Sequence, residues 1–288
     1  MNILLSTCSQ GLLYGILALG VYITFRILNF ADMTAEGSLT LGGSICAVLI
    51  SNDVHPIFST VLAGLLGSFA GLITAFLHTK LKIQDILAGI LTMISLYSIN
   101  LRIMRGNSNV SLLGKDTIFS ESRIVIFLIG FAICASLLLI LNLFFKTQIG
   151  LSIRATGDNE QMMRALGANT NLKKTIALMI SNFLCATSGA LISQFQGYTD
   201  VNMGTGSIVI ALASIVIGEA ILKNNSFLFK LIAVVLGSIS YRFIIVVVLS
   251  LGMNPSDLKL FTSIVAAILL ALPNIRKTIM RGFKNAKN

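Results

Sequence analysis

Residues 124–145 read IVIFLIGFAICASLLLILNLFF, a run of apolar and small residues with one asparagine and no charge. A helix of about 20 such residues, rising about 1.5 Å per residue, crosses the hydrocarbon core of a bilayer. The whole chain has a similar character, because 55% of its 288 residues are hydrophobic and 11% are charged. Soluble domains carry about 25% charged residues. The sequence therefore predicts a polytopic integral membrane protein.

Apolar stretches recur along the chain and predict an all-α transmembrane bundle of about nine spans, forming a single domain over residues 1–288. We place these spans at residues 4–25, 37–52, 57–78, 86–104, 124–145, 174–193, 207–222, 228–250 and 260–273. The second, seventh and ninth spans are short, which indicates helices that are tilted, covered by protein or discontinuous. Glycine pairs at four-residue spacing, Gly11 with Gly15 and Gly67 with Gly71, favour close helix packing.

The basic residues predict the orientation. Segment 146–174 and the tail 274–288 each hold five Lys or Arg residues. Nine spans place both on one side, which the positive-inside rule makes the cytoplasm, so we expect a cytoplasmic C-terminus in a bacterial inner membrane. Loop 102–123 disagrees, because its four basic residues fall outside. The net charge of +10 suits anionic lipid or a cytoplasmic partner, and we expect no nucleic acid.

The sequence lacks the motifs for nucleotide binding, catalysis and metal binding. No G-x-x-x-x-G-K-[ST] motif occurs to bind a nucleotide's phosphates, and only two histidines are present. The cysteines lie inside apolar runs without metal-ligand spacing, so we interpret them as small buried hydrophobes. We therefore expect no catalytic residues, no metal and no cofactor. The four cysteines are Cys8, Cys46, Cys134 and Cys185.

Segment 146–174, KTQIGLSIRATGDNEQMMRALGANTNLKK, is much longer than most of the other loops. Asp158, with Gln161 three residues later, predicts a capped helix start, and Gly167 predicts its end. Met162, Met163 and Leu166 would make this helix amphipathic. The pattern predicts a short helix over 158–167, framed by Gly157 and Gly167. It is either a docking element for a partner or a helix lying at the membrane interface.

A resemblance to a known family bears on this choice. Residues 150–193 resemble the cytoplasmic coupling segment of permeases in the branched-chain amino acid type of ABC importer. Residues 16–43 and 100–120 are similar to a subgroup of amino acid permeases of tryptophan or tyrosine type. The residues that match the coupling pattern are Gly150, Arg154, Ala155, Gly157, Asn159, Ala165, Leu166, Gly167 and Lys173.

The resemblance implies a type II importer that moves a small polar solute, expected to be an amino acid, by alternating access. Its expected partners are a cytoplasmic ATP-binding subunit, an extracytoplasmic substrate-binding protein and a second permease, expected to be another copy of this chain. The alternative is an ion-coupled secondary transporter, which needs acidic residues deep in its spans. The residues expected to couple to the ATPase are Arg154, Gly157, Asp158, Asn159, Glu160, Met163, Leu166 and Gly167.

Polar residues near or inside the spans are candidates for the substrate pathway. Arg242 interrupts the eighth span and can bind a substrate carboxylate, pair with an acid on a neighbouring helix, or snorkel outward. Asp32 and Glu36 either cap a helix start or lie at a break in a helix lining the pathway. Asn100 can face a cavity or hydrogen-bond a neighbouring helix. Arg26, at the inner end of the first span, is expected to snorkel.

Overall fold

The computed structural model describes residues 2–119, 122–222 and 226–250, with residues 260, 263–265, 267 and 268. Helices dominate, which confirms the all-α prediction. In chain order the elements are α1 (Asn2–Tyr22), a π-helical turn (Ile23–Ile27), α2 (Thr34–Ser51), α3 (Pro56–Thr79), α4 (Asp85–Ile103), β1 (Asn109–Ser111), α5 (Arg123–Phe144), α6 (Gln148–Asp158), α7 (Glu160–Ala165), α8 (Thr170–Gln196), β2 (Tyr198–Asp200), α9 (Ser207–Ile221) and α10 (Phe227–Ser250).

Seven of the described helices are long and apolar enough to cross a membrane. They are α1 with its π-helical turn, α2, α3, α4, α5, α8 and α10. The predicted seventh span is α9, which is apolar but has only 15 residues. The ninth predicted span, 260–273, and the tail 274–288 lie largely or wholly outside the described residues. The other predicted spans all coincide with apolar helices.

The bundle has two distinct ends. The 27-residue helix α8 runs from α7 to β2, so α7 and β2 lie at opposite ends. We call these the α6–α7 end and the sheet end. At the sheet end, β1 pairs antiparallel with β2, and Val110 lies opposite Thr199. Helices α3 and α5 both finish at the α6–α7 end, so Lys80 lies there together with the basic residues of 146–174.

Glycines allow the central helices to approach closely. A Cβ on Gly189 of α8 would collide with the Leu39 carbonyl of α2, and one on Gly71 of α3 would collide with the Leu178 carbonyl of α8. Of the predicted glycine pairs, Gly67 and Gly71 both pack closely on α8, and Gly11 packs closely on α10, whereas a Cβ on Gly15 would make only ordinary contact with Val235. Close backbone packing therefore orders the centre of the bundle, as the four-residue spacing predicted.

Segment 146–174 folds into two helices, where the sequence predicted one. Asp158 is the last residue of α6 and does not cap the next helix. Asn159 has extended backbone angles (φ −154°, ψ 97°), and its side chain accepts the N–H of Met162. The prediction for Asp158 is therefore wrong by one residue, because the chain leaves helical geometry at Asn159. Gly157 lies inside α6, whereas Gly167, with φ +78°, follows α7 closely as predicted.

Candidate coupling segment and polar contacts

Helix α7 has an exposed apolar face and a buried one. Leu166 is 73% exposed and Met162 is 47% exposed, whereas Met163 is only 9% exposed. Asp158 and Asn159 are also exposed. Exposed apolar side chains rimmed by polar ones are typical of a contact with a protein or with the membrane surface, the two alternatives that the sequence left open. Of the residues predicted for docking, Leu166 faces outward and Met163 anchors the helix; Met162 was not singled out for docking.

Glu160 ties α7 to α8 and, through Lys174, to α3. Its two carboxylate oxygens accept from Arg164 Nη2 at 2.7 Å and from Lys174 Nζ at 2.9 Å. Partial burial alone would raise the pKa of Glu160, but hydrogen bonds and charge from Lys174 and Arg164 hold that pKa below its usual value. Lys174 Nζ also lies 3.3 Å from Nε2 of His78, whose Nδ1 is 3.0 Å from the Ile83 carbonyl. Since a carbonyl only accepts, this geometry assigns the proton to Nδ1 and leaves Nε2 to accept from Lys174.

Two residues predicted to contact an ATPase hold α6 against the membrane-spanning helices. The guanidinium carbon of Arg154 lies 5.0 Å from the centre of the Phe227 ring, at the start of α10. Gly157 packs so closely on the Ile27 carbonyl that a Cβ would collide with it. The Gly157 carbonyl accepts from Asn29 Nδ2 at 2.9 Å. Sequence reasoning missed Asn29, because its partner lies 128 positions away.

Asp32 caps the start of α2 and joins it to α8. One carboxylate oxygen accepts the Thr34 N–H at 2.9 Å, and the other accepts from Asn182 Nδ2 at 2.8 Å. The Asn182 side-chain oxygen accepts the Ser38 hydroxyl at 2.6 Å. Asp32 is buried. Its carboxylate therefore satisfies a backbone N–H at the start of α2, next to the Met33 N-cap, and links α2 to α8.

Glu36 lies in the first turn of α2, as predicted, and its carboxylate also reaches the start of a second helix, α9. Its carboxylate accepts the Gly206 N–H at 2.9 Å, next to the first residue of α9. A carboxylate there stabilises the positive end of the α9 dipole. The preceding Gly204 N–H donates to Thr40 Oγ1 at 3.1 Å, so the segment from β2 to α9 lies along α2. Helix α2 itself is continuous, and the break lies before it, between the π-helical turn and Thr34.

Arg26 forms a two-point ion pair with Glu219 near the end of α9. Nε and Nη2 of Arg26 donate to the two Glu219 carboxylate oxygens, both at 2.8 Å. Arg26 therefore does not end the first span alone, because Glu219 offers a carboxylate in the parallel geometry that a guanidinium prefers. The two residues are 193 positions apart, so no local pattern could indicate this pair.

Arg242 and Asn100 each have an atom without a partner among the described residues. The guanidinium carbon of Arg242 lies 3.7 Å from the centre of the Tyr14 ring, and its buried Nε has no hydrogen bond there. No ion pair of Arg242 with an acidic residue occurs in that part of the chain. Asn100 Nδ2 donates to the Gly37 carbonyl at 3.4 Å, which confirms an interhelical contact, while its Oδ1 has no partner there.

A bundle of apolar helices with a folded polar segment at one end is the architecture of a polytopic membrane protein. Comparison with known sequences places it more narrowly. The chain belongs to the family described as branched-chain amino acid transport system / permease component, whose model matches residues 3–273. It is a permease subunit of an ABC importer, and the alternative of an ion-coupled secondary transporter is set aside.

Individual relatives agree with this family. The chain is 45% identical over 289 residues to the tyrosine transport system permease protein of Clostridioides difficile (strain R20291), covering 100% of this chain and 96% of the relative. It is 24% identical to the ribose import permease protein RbsC of Haemophilus influenzae, covering 93% and 82%. It resembles the fold of PsaBC from Streptococcus pneumoniae in complex with Fab, with a TM-score of 0.50, 15% identity, and coverage of 93% and 89%.

Proposed function

We propose that this permease subunit imports an amino acid, and that a separate ATP-binding subunit drives it by docking on the exposed face of α7. The observation that carries the proposal is the pair Met162 and Leu166. They are four residues apart on one side of a short helix, and both are exposed. Their apolar area lies outside every membrane-spanning helix, where a protein partner can cover it.

The buried side of the same helix supports a role as a lever. Met163 is buried, Glu160 pairs with Lys174 of α8, and Arg154 of α6 lies on Phe227 of α10. Because packed elements move as units, a push on the exposed face of α7 would be passed to α8 and α10. Thus the coupling residues divide between those that meet the partner and those that transmit its movement.

The orientation and the other partners follow from the two ends of the bundle. We place the α6–α7 end in the cytoplasm, because the basic residues of segment 146–174 lie there together with Lys80. An extracytoplasmic binding protein would then deliver substrate at the sheet end. A second copy of this chain would complete the pathway, as type II importers use two permease subunits.

The substrate proposal rests on Arg242 and on the tyrosine permease of C. difficile. The guanidinium of Arg242 lies on the Tyr14 ring, which orients its plane, and its buried Nε is free in the described part of the chain to donate to a carboxylate. A planar guanidinium recognises a carboxylate through two parallel hydrogen bonds. Asp32 and Glu36 already accept backbone or amide hydrogens, so they shape the helices around the pathway.

The docking proposal is tested by Leu166→Asp, with Leu166→Met as the matched control. The aspartate would bring a charge into the apolar contact, so copurification of the ATP-binding subunit and ATP-dependent uptake should both fall at least tenfold. Leu166→Met should retain both, because methionine keeps the apolar volume. The amount of permease in the membrane should be equal for the two variants. Normal copurification and uptake by Leu166→Asp would contradict the docking proposal.

The substrate contact is tested by Arg242→Gln and Arg242→Lys in proteoliposomes supplied with the ATP-binding subunit and binding protein. A charge-assisted hydrogen bond contributes about 1.5–3 kcal/mol, so tyrosine uptake should fall about 10- to 100-fold in Arg242→Gln. Arg242→Lys should be intermediate, since it keeps the charge and loses the two-point geometry. Unchanged uptake, or a loss of folded protein in place of a loss of uptake, would contradict this assignment.

A further inference from the structure

The connection between α1 and α2, residues 23–33, contacts four other parts of the bundle. Towards α6, Ile27 packs against Gly157 and Asn29 donates to the Gly157 carbonyl. Towards α9, Arg26 pairs with Glu219. Further along, the Phe30 ring lies edge-on to His78 of α3 with 5.0 Å between ring centres, and Asp32 accepts from Asn182 of α8. This single connection therefore joins the polar segment to two membrane-spanning helices, α3 and α8, and to the short apolar helix α9.

The first part of the connection is π-helical. The Leu28 N–H donates to the Ile23 carbonyl at 3.0 Å and the Phe30 N–H donates to the Thr24 carbonyl at 2.9 Å, so the α-helical bond pattern of α1 ends here. Single π-helical turns are frequent at functional sites, and they let a helix change direction without unfolding. Arg26 and Ile27 both lie within this turn. Contacts with α6 and with α9 are thus made at the point where α1 can bend.

Each end of α9 is held by a carboxylate contact with the segment that contains the α1–α2 connection and the start of α2. Glu36 of α2 accepts from Gly206 before its first residue, and its own Glu219 binds Arg26. The side chains of Arg26 and Glu219 are 56% and 36% exposed. An ion pair this exposed contributes little to overall stability. Its two parallel hydrogen bonds do, however, fix the orientation of the Arg26 side chain relative to the end of α9.

We infer that the Arg26–Glu219 ion pair positions α9 for transport by linking it, through the α1–α2 connection, to movement of α6 and α7. This inference rests on the proposed function, in which a partner ATPase moves the α6–α7 segment. A displacement of Gly157 pushes on Ile27, the π-helical turn bends, and Arg26 carries the last turn of α9 with it. Arg26 and Glu219 are positioning residues and do not themselves contact substrate.

The test is a charge exchange in proteoliposomes that contain the ATP-binding subunit and binding protein. The variants are Arg26→Glu, Glu219→Arg and the double exchange. Each single variant should copurify with the ATP-binding subunit and unfold at the wild-type temperature. Its uptake of substrate per ATP hydrolysed should fall at least tenfold, because like charges would separate α9 from the connection. The double exchange should recover at least half of the wild-type ratio.

The outcomes separate this inference from the proposed function. Unchanged uptake per ATP in the single variants, or a double exchange no better than either single variant, would overturn the positioning role. Loss of the ATP-binding subunit in a single variant would also overturn it, because the pair would then act on docking. Failure of the wild-type chain to bind the ATP-binding subunit would instead refute the proposed function.

Discussion

Gly71 and Gly130 occupy helix positions with opposite surroundings. A methyl group on Gly71 of α3 would collide with the Leu178 carbonyl of α8, and a backbone carbonyl cannot rotate away. A methyl group on Gly130 of α5 would meet only Leu13 Cδ2, at 4.0 Å. The same substitution should therefore have opposite effects at these two positions.

We expect Gly71→Ala to lower the free energy of unfolding by about 1–3 kcal/mol, because overpacking forces the helices apart. Gly130→Ala should raise it by about 0.5–1 kcal/mol, because alanine favours the helix and finds room. Thermal unfolding of the two variants in detergent, followed by circular dichroism, measures both changes. Equal shifts of the same sign would show that close contact does not fix the α3–α8 distance.

At this scale the sequence predicted contacts between neighbours better than contacts between distant residues. The four-residue spacing of Gly67 and Gly71 marks a helix face that must lie close to another helix. The pairing of Arg26 with Glu219 depends on where α9 lies, and no spacing along the chain carries that information. For the same reason, the sequence could not decide whether Asn100 faces a cavity or hydrogen-bonds a neighbouring helix.

At the scale of elements, α7 is a six-residue helix held by its side chains. Such a helix has too few internal hydrogen bonds to be stable alone. Buried Met163 and the Glu160–Lys174 ion pair attach it to the bundle. The segment pattern predicted a helix here and placed its start one residue early, because Asp158 and Asn159 are both good caps and only the backbone angles distinguish them.

The pKa of Glu160 gives this attachment a pH dependence. Because that pKa is lowered in the folded protein, the ionised carboxylate stabilises the attachment above its unfolded pKa of about 4.3. The contribution is lost as pH falls through the lowered value. At neutral pH, amides of α7 should exchange hydrogen faster in Glu160→Gln than in the wild type. At a pH below the lowered pKa of Glu160 the two proteins should exchange at the same rate, and a difference that persists there would refute this role for ionised Glu160.

At the scale of the whole molecule, hydropathy predicted the spans well because every helix that crosses a bilayer needs a minimum length of apolar residues. It could not predict that α9 would be short and held by Glu36, since that depends on the fold around α2. Hydropathy also gave no signal for β1 and β2. These strands have three residues each and pair although they are far apart in the sequence. Both features depend on contacts between residues that are distant in the sequence, which hydropathy does not report.

The proposed orientation predicts which end of the molecule a thiol reagent reaches. In a Cys8→Ser background, Leu113→Cys at the sheet end should react with a membrane-impermeant maleimide in intact cells, because Leu113 is 87% exposed. Lys80→Cys at the α6–α7 end should react only after permeabilisation. The remaining native cysteines are buried and should not react with the maleimide. The reverse labelling pattern would show that the α6–α7 end faces outward, and it would contradict the proposed docking of a cytoplasmic ATPase there.

The small sheet also constrains how the protein is made. Asn109 pairs with Asp200, so β1 leaves the ribosome long before its partner strand exists. At 5–20 residues per second, synthesis of the intervening chain takes about 5 to 20 s. During that interval α5 and α8 must both enter the membrane, and the backbone groups of β1 have no partner strand. The sheet can therefore close only after α8 has crossed the bilayer and brought β2 to the end where β1 lies.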